Sequence, residues 1–305
     1  MSILNAIGNT PIVELTNIWS TEKTGIKILV KLEGSNPGGS VKDRPAFYMI
    51  QKAYESGLLT KEKTILEPTS GNTGIGMAMV ARAMGFSIKL IMPACVSTER
   101  RSILIAMGAE LELTPGSEKT DGAIARANHI LESYPDKYYM PNQFKNEANY
   151  MAHFYSTGPE INEQTKGEAD LFVAGMGTTG TLMGCSKYFK DNNLKTKVLG
   201  IEPQIGHRIQ GLKNMEEAIV PEIYNPSLLD HKIFCSDRDA FNTVRELALC
   251  EGIFCGISSG AALWGAMEAA KDMAKGSTIV VLLPDRGDRY LSTEVFRSVC
   301  AKCPP

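Results

Sequence analysis

The chain has 305 residues, of which 43% are hydrophobic and 22% charged, a composition typical of one large or two ordinary globular domains. Its net charge of −2 gives no electrostatic basis for binding nucleic acid or an anionic membrane. No apolar run approaches the ~20 residues of a membrane span. The start of the chain, Met1 to Asn9, lacks the pattern of a secretion signal, so we expect a cytoplasmic protein.

Short β-rich runs alternate with longer helical patterns along the chain. In the first half the predicted elements are strand 26–32, helix 44–55, strand 64–67, helix 75–84, strand 87–92, helix 98–107 with Ser97 as its N-cap, strand 110–113 and helix 121–133. In the second half they are strand 171–174, helix 182–192, strand 197–201, helices 238–251 and 261–274, and strand 278–283. This alternation predicts α/β architecture with mainly parallel sheets. The polar segment 141–152 is a predicted boundary between two lobes.

The cysteines and histidines do not suggest a metal site. Five of the seven cysteines lie in apolar segments, which is typical of free, buried thiols: Cys95, Cys185, Cys235, Cys250 and Cys255. Cys300 and Cys303 form a C-x-x-C without a second pair, and no H-x-x-x-H pair exists. We therefore expect neither a disulfide framework nor a bound metal.

A glycine-rich loop leads to a single lysine, Lys42, just before the helix predicted at 44–55. Gly38 and Gly39 have no Cβ, so the loop can lie close to a ligand. Exclusion of water and nearby helix-terminal N–H groups favour a neutral, nucleophilic amine there. Taken alone, the segment describes a solvated lysine in a helix N-terminal turn better than a catalytic one.

The turn Thr-Ser-Gly-Asn-Thr-Gly at 69–74 leaves a predicted strand and opens a helix. Its hydroxyls, its amide and the free N–H groups of the helix can surround a small anion, for which a carboxylate is well suited. A capped turn without a ligand explains the same residues equally well.

The turn Gly-Met-Gly-Thr-Thr-Gly-Thr at 175–181 matches G-x-G-x-x-G, and Glu202 closes the next predicted strand. This pattern leaves a NAD-binding oxidoreductase as one alternative. Its three threonines favour a phosphate monoester, which has more oxygens to satisfy than a pyrophosphate. A third turn, Gly-Ile-Ser-Ser-Gly at 256–260, adds hydroxyl donors. A reactive lysine, a carboxylate cup, a phosphate cup and a hydroxyl donor together describe a site for pyridoxal 5′-phosphate (PLP) and an amino acid.

Six segments resemble the cysteine synthase (O-acetylserine sulfhydrylase) family, in its order and spacing over nearly the whole chain. They are 7–11, 39–44, 69–74, 177–181, 256–260 and 285–293. The resemblance implies a fold-type II PLP enzyme, similar to the tryptophan synthase β-subunit, with two three-layer α/β lobes. It places the substrate carboxylate loop in a smaller domain, 40–145, and the phosphate loop in a larger one, 1–39 with 146–305. It also implies a homodimer.

The resemblance further assigns roles to individual residues. Lys42 would bind PLP covalently and move the Cα proton, Asn72 would contact the ring hydroxyl oxygen, and Ser258 would face the pyridine nitrogen. The phosphate would be held by Gly177, Thr178, Thr179, Gly180 and Thr181. The substrate carboxylate would be held by Thr69, Ser70, Gly71, Thr73 and Gln143.

The implied reaction is β-replacement through an α-aminoacrylate, making L-cysteine from O-acetyl-L-serine and sulfide. A serine at the pyridine nitrogen, rather than a carboxylate, makes the ring a weaker electron sink and favours loss of the β-substituent. Arg286 and Arg289 resemble the B-type enzymes, and Lys213 stands where relatives that accept O-phosphoserine have an arginine. Lys213 and Arg286 are therefore further candidates for substrate binding, although each is equally typical of a surface ion pair.

Several substrates remain open at this point. O-phosphoserine is one alternative first substrate, and thiosulfate or another thiol is an alternative nucleophile. L-cysteine itself could react with release of hydrogen sulfide. A cystathionine β-synthase-like activity ranks lower, because we expect neither a haem-binding extension nor a regulatory region.

Overall fold

In the computed structural model, which describes residues 2–69, 71–96 and 98–297, strands and helices alternate along the chain. The strands are β1 (Ile12–Glu14), β2 (Lys27–Leu32), β3 (Thr64–Pro68), β4 (Ile88–Pro93), β5 (Glu110–Thr114), β6 (Tyr138–Tyr139), β7 (Leu171–Gly175), β8 (Lys197–Pro203), β9 (His231–Cys235) and β10 (Thr278–Leu283). The helices are α1 (Thr21–Thr24), α2 (Asp43–Glu55), α3 (Asn72–Met84), α4 (Thr98–Ala106), α5 (Lys119–Ser133), α6 (Ala148–Tyr155), α7 (Thr157–Gln164), α8 (Gly180–Asp191), α9 (Asp237–Glu251), α10 (Ile257–Ala270) and α11 (Glu294–Arg297).

The chain divides into two compact units, each made of two stretches of sequence. The smaller unit contains the residues up to Ile7 together with Asn36–Ala152. The larger unit contains Gly8–Ser35 and the chain from His153 onward. The chain therefore enters the larger unit, leaves it for the smaller one, and returns.

The smaller unit is built on a four-stranded sheet in the order β5-β4-β3-β6, with every pair parallel. Its strands are mostly apolar, as expected for a parallel sheet that is covered on its faces. Ile65, Leu90 and Met77 are fully buried in its core. α2 packs closely on α3, because a Cβ added at Gly76 would lie 3.1 Å from the carbonyl oxygen of Lys42.

The larger unit is built on a six-stranded sheet in the order β1-β2-β10-β7-β8-β9, parallel except for the edge strand β1. All six residues of β10 are buried, and its β-branched and leucine side chains suit a central strand. α10 lies against α9 so closely that a Cβ at Gly260 would lie within 3 Å of the Ala240 carbonyl oxygen. Only glycine permits this approach.

The predicted α/β alternation with mainly parallel sheets is confirmed, but some details are wrong. α10 begins at Ile257 rather than at 261, so the turn 256–260 is largely the start of that helix. Cys95 and Cys250 are exposed rather than buried, because Cys95 lies in the loop after β4 and Cys250 near the C-terminus of α9. Ser97, Cys300 and Cys303 lie outside the described residues.

No helix in the described part of the chain is both long and apolar enough to span a membrane. Within the same residues, no group of three or more His, Cys, Asp or Glu side chains could hold a metal ion.

Candidate active site

Two of the predicted loops follow the carboxyl ends of parallel strands, where ligands bind in α/β proteins. The loop that begins at Thr69 follows β3 in the smaller unit, and the loop that ends at Thr181 follows β7 in the larger unit. Lys42 belongs to the smaller unit and occupies the N-cap position of α2. Its backbone N–H donates to the Ser40 hydroxyl (3.2 Å), which fixes the end of the glycine-rich loop.

The smaller unit brings the predicted carboxylate-binding residues together. Thr69 and Thr73 are buried, Asn72 opens α3, and Gly71 is the N-cap of that helix. The Thr73 hydroxyl donates to the Gln143 side-chain oxygen (2.7 Å), although the two residues are far apart in sequence. The Gln143 amide nitrogen then supplies donors of the kind that a carboxylate needs. Ser70 lies outside the described residues.

Glu67, in β3, is a buried carboxylate that the sequence analysis missed. Its two oxygens accept the backbone N–H groups of Asn142 (2.9 Å) and Gln143 (3.1 Å). Only 1% of the residue is exposed. Burial raises the pKa of Glu67 to about 7, although its hydrogen bonds from Gln143 and Asn142 act in the opposite direction. Burial, followed by the nearby charge of Glu67, raises the pKa of Tyr139 to about 12.

The larger unit contains the predicted phosphate loop, which ends at the N-terminus of α8. Thr178, Thr179 and Thr181 are all buried. A Cβ at Gly177 would lie 2.6 Å from the carbonyl oxygen of Gly211, so only glycine allows the loop to pass this segment. The N-cap, Thr179, has a left-handed backbone with φ of 66°, which is unfavourable for a β-branched residue.

These residues fit the phosphate of PLP. The Thr179 hydroxyl is buried and has no hydrogen-bond partner among the described residues. A buried hydroxyl without a partner is costly, and the N-terminus of a helix attracts an anion. A phosphate at this point would provide the missing partner. The loop is therefore well formed for the group that its sequence predicts.

A buried histidine supports the same loop. His153 in α6 contacts the Thr157 hydroxyl through Nδ1 (2.8 Å) and the Thr181 hydroxyl through Nε2 (3.3 Å). His153 is 1% exposed. His153 was not predicted, because nothing in the local pattern of α6 indicates a contact with the later loop.

Ser258 lies in the first turn of α10 and is 4% exposed. The segment after β10 holds the start of this helix, because the backbone N–H of Gly256, the N-cap of α10, donates to the Asp285 carbonyl (3.2 Å). The Asp285 carboxylate accepts the Tyr290 hydroxyl (2.5 Å) and is also buried. Burial raises the pKa of the Cys255 thiol to about 12, so this cysteine stays neutral beside the turn.

The two cationic candidates differ in their surroundings. The backbone N–H of Lys213 donates to the Met176 carbonyl (2.8 Å), which places Lys213 beside the phosphate loop. Arg286 is 61% exposed in its side chain and pairs with Asp288 (3.3 Å).

Glu202, the acidic residue of the dinucleotide alternative, accepts the Met215 N–H (2.6 Å) and pairs with Lys232 (2.6 Å). The Glu202 carboxylate thus already has partners within the protein, whereas the dinucleotide alternative requires it to bind a ribose.

Each unit therefore presents one set of predicted residues. The smaller unit holds Lys42, Thr69, Gly71, Asn72, Thr73 and Gln143, and the larger unit holds Gly177, Thr178, Thr179, Gly180, Thr181, Lys213, Ser258 and Arg286. Their individual roles stay predictions.

The fold and these loops define a class of protein, and comparison with known proteins identifies it. A family model described as pyridoxal-phosphate dependent enzyme matches residues 3–285, and the chain belongs to that family. PLP is therefore its cofactor. This membership decides against the NAD-binding alternative.

Within this class, the similar proteins are cysteine synthases. The chain is 46% identical to the cysteine synthase of Aquifex aeolicus, over 97% of this chain and 92% of that protein. It is 44% identical to cysteine synthase B of Salmonella typhimurium, over 95% of this chain and 94% of that protein. The crystal structure of a cysteine synthase from Entamoeba histolytica superposes with a TM-score of 0.91 at 40% identity, covering 96% of this chain and 90% of the other. The predicted resemblance to the cysteine synthase family, and with it the fold-type II architecture, is confirmed.

Proposed function

We propose that the protein makes L-cysteine from O-acetyl-L-serine and sulfide by β-replacement. The main support is its identity, over nearly the full length, with relatives that bear the name cysteine synthase. The Thr73–Gln143 hydrogen bond in one unit and the threonine-rich loop in the other provide the anion-binding chemistry that such a reaction needs.

The residues of this chain would hold PLP in four ways. Lys42 Nζ would bind it covalently, Asn72 would contact its ring hydroxyl oxygen, and Ser258 would face its pyridine nitrogen. The loop from Gly177 to Thr181, at the N-terminus of α8, would surround its phosphate with N–H and hydroxyl donors. When bound, PLP withdraws electrons from the amino acid and so allows the Cα proton and the β-substituent to leave.

The substrate carboxylate binds between Thr69, Ser70, Gly71, Thr73 and Gln143, which orients the amino acid. Lys42 Nζ then accepts the Cα proton and later returns it, so one amine serves as base and acid. Ser258 supplies a neutral hydroxyl where a carboxylate would hold the ring nitrogen protonated, which disfavours transamination and racemisation.

The choice of substrates is tested by a direct comparison. Purified protein is mixed separately with O-acetylserine, O-phosphoserine and cysteine, each with and without sulfide or thiosulfate, and cysteine formation and sulfide release are measured. We expect the fastest turnover with O-acetylserine and sulfide. Faster turnover of O-phosphoserine would assign a substrate role to Lys213 or Arg286, and sulfide release from cysteine as the main activity would contradict the proposal.

Replacing Lys42 by alanine should lower turnover by at least about 10³-fold, because it removes the covalent attachment and the proton carrier together. Borohydride reduction of the wild-type protein followed by peptide mapping should place the trapped cofactor on Lys42. A Lys42→Ala protein with normal activity, or trapping on another lysine, would contradict this assignment.

We also propose that the protein is cytoplasmic and works as a homodimer; the family resemblance implies the dimer. Light scattering on the eluate of a sizing column tests the dimer, and a monomer would contradict it.

A further inference from the structure

The carboxylate of Glu67 bridges two parts of the smaller unit. Glu67 lies in β3, one residue before Pro68 and the loop that begins at Thr69. Its oxygens accept the N–H groups of Asn142 and Gln143, so one side chain joins the end of this strand to the turn that carries Gln143.

These hydrogen bonds hold a turn that needs support. Asn142 has a left-handed backbone with φ of 53°, a conformation that surrounding contacts must stabilise. The Gln143 carbonyl accepts a hydrogen bond from the buried side-chain amide of Asn149 (2.6 Å). Both the backbone N–H and the backbone C=O of Gln143 are therefore held by buried side chains. Its side chain can then meet the Thr73 hydroxyl.

Burial of the Glu67 carboxylate costs desolvation free energy, which a purely structural role would not require. A buried carboxylate is normally paired with a cation, because desolvation disfavours the charge. No ion pair to Glu67 occurs among residues 2–69, 71–96 and 98–297, and its hydrogen bonds come from two backbone N–H groups. A glutamine would avoid the desolvation cost, but it has one accepting oxygen and could not present a separate oxygen to each of the two N–H groups.

We propose that Glu67 is a positioning residue for the amino-acid substrate: it fixes the Asn142–Gln143 turn so that Gln143, together with Thr73, is presented to the substrate carboxylate. This inference rests on the proposed function, in which Gln143 binds that carboxylate. Glu67 acts through the turn and does not touch the substrate.

The test is Glu67→Gln, which preserves the volume of the side chain but replaces one accepting oxygen by an NH₂ group. We expect kcat/KM for O-acetylserine to fall about tenfold, because one of the two hydrogen bonds from the Asn142–Gln143 turn to the charged Glu67 carboxylate is lost. The value of kcat/KM for sulfide should stay within about threefold, since sulfide reacts after the amino acid is already bound. Retained visible absorbance of the cofactor shows that the site is intact.

Glu251→Gln is a matched control in the larger unit. The Glu251 carboxylate accepts the backbone N–H groups of Thr16 (3.1 Å), Asn17 (2.7 Å) and Ile18 (2.7 Å), so it also organises a loop. That loop contains none of the predicted site residues. We expect this variant to lose stability while both kcat/KM values stay within about twofold of the wild type.

A Glu67→Gln protein with unchanged kcat/KM for O-acetylserine, or with equal losses for both substrates, would overturn the inference. If Glu67→Gln does not fold, Glu67→Asp decides in its place: a selective loss for O-acetylserine supports the inference and wild-type values overturn it. Failure of the proposed function is distinguishable, because the wild-type protein itself would then make no cysteine.

Discussion

Thr179 combines two unfavourable features at one position. It is a β-branched residue with a left-handed backbone, and its buried hydroxyl has no partner in the part of the chain that the structure describes. Such local costs persist where function requires them. Both features are explained if the hydroxyl is held ready for the cofactor phosphate.

Thr179→Ala should therefore change stability and cofactor binding in opposite directions. Removing an unpartnered hydroxyl should leave the PLP-free protein equally stable or more stable by about 1 kcal/mol. The dissociation constant for PLP should rise about tenfold or more, because a hydrogen bond to a charged phosphate is lost. Thermal unfolding of the PLP-free protein and titration with PLP measure the two effects. Thr179→Ser is the control and should bind PLP nearly as the wild type does; equal binding by the alanine variant would refute the role.

At the residue scale, the sequence predicts what is local and misses what acts through space. The threonines of the phosphate loop are recognisable because loop composition and their place before a helix indicate their chemistry, whereas Lys42 is singled out only when its loop is considered together with the other glycine-rich turns. His153 and Glu67 are not recognisable, since their partners lie far along the chain and no local pattern links them.

At the element scale, the start of α10 shows how packing overrides local preference. The Ser-Ser-Gly run at 258–260 looks like a turn, yet it forms the first residues of a helix. α10 is buried along most of its length, and Gly260 allows it to lie against the backbone of α9. Tertiary burial stabilises a helix where propensity would not. The eight-residue helices α6 and α7 were not predicted; α6 overlaps the polar segment 141–152, which was interpreted as a boundary between lobes.

β3 allows a second element-scale prediction, because it carries Glu67. The pKa of this carboxyl is about 7 in the folded protein, above its ordinary value of 4.5. Between these pH values the native state holds a proton that the unfolded chain has released, so this contribution to stability decreases as pH rises through the window. The slope is at most about 1.4 kcal/mol per pH unit.

Urea unfolding of the wild type and Glu67→Gln between pH 5 and 8 measures this contribution. The wild type should lose stability relative to the variant as pH rises toward 7, with little further change above it. Parallel pH profiles would show that Glu67 does not titrate in this range.

At the scale of the whole molecule, the sequence predicts the α/β class but not the strand order. Alternating strands and helices indicate parallel sheets, whereas the pairing of β2 with β10 joins segments from opposite ends of the described chain. Such pairing leaves no local signal. The return of the chain into the larger unit after Ala152 also depends on packing between segments distant in sequence, so it too has no local signal.

Lys31 in β2 secures this discontinuous unit. It is fully buried, donates to the Thr10 carbonyl (3.0 Å) and the Gln164 oxygen (2.9 Å), and pairs with Glu160 in α7 (2.8 Å). Lys31→Met should lower the free energy of unfolding by about 3 kcal/mol, because it leaves a mostly buried carboxylate without this cation. The exposed pair of Lys195 with Asp170 offers a control, and Lys195→Met should cost less than about 1 kcal/mol. Equal urea midpoints for the two variants would contradict this prediction.

The pairing of β2 with β10 also has a consequence for biosynthesis. During translation, β10, the neighbour of β2 in the finished sheet, is made about 250 residues after β2. At about 5–20 residues per second, β2 waits on the order of tens of seconds with one hydrogen-bonding edge uncovered. The smaller unit, formed mainly by Asn36–Ala152, is complete well before that. We therefore expect a chaperone that shields β2 in the nascent chain to raise the yield of native protein.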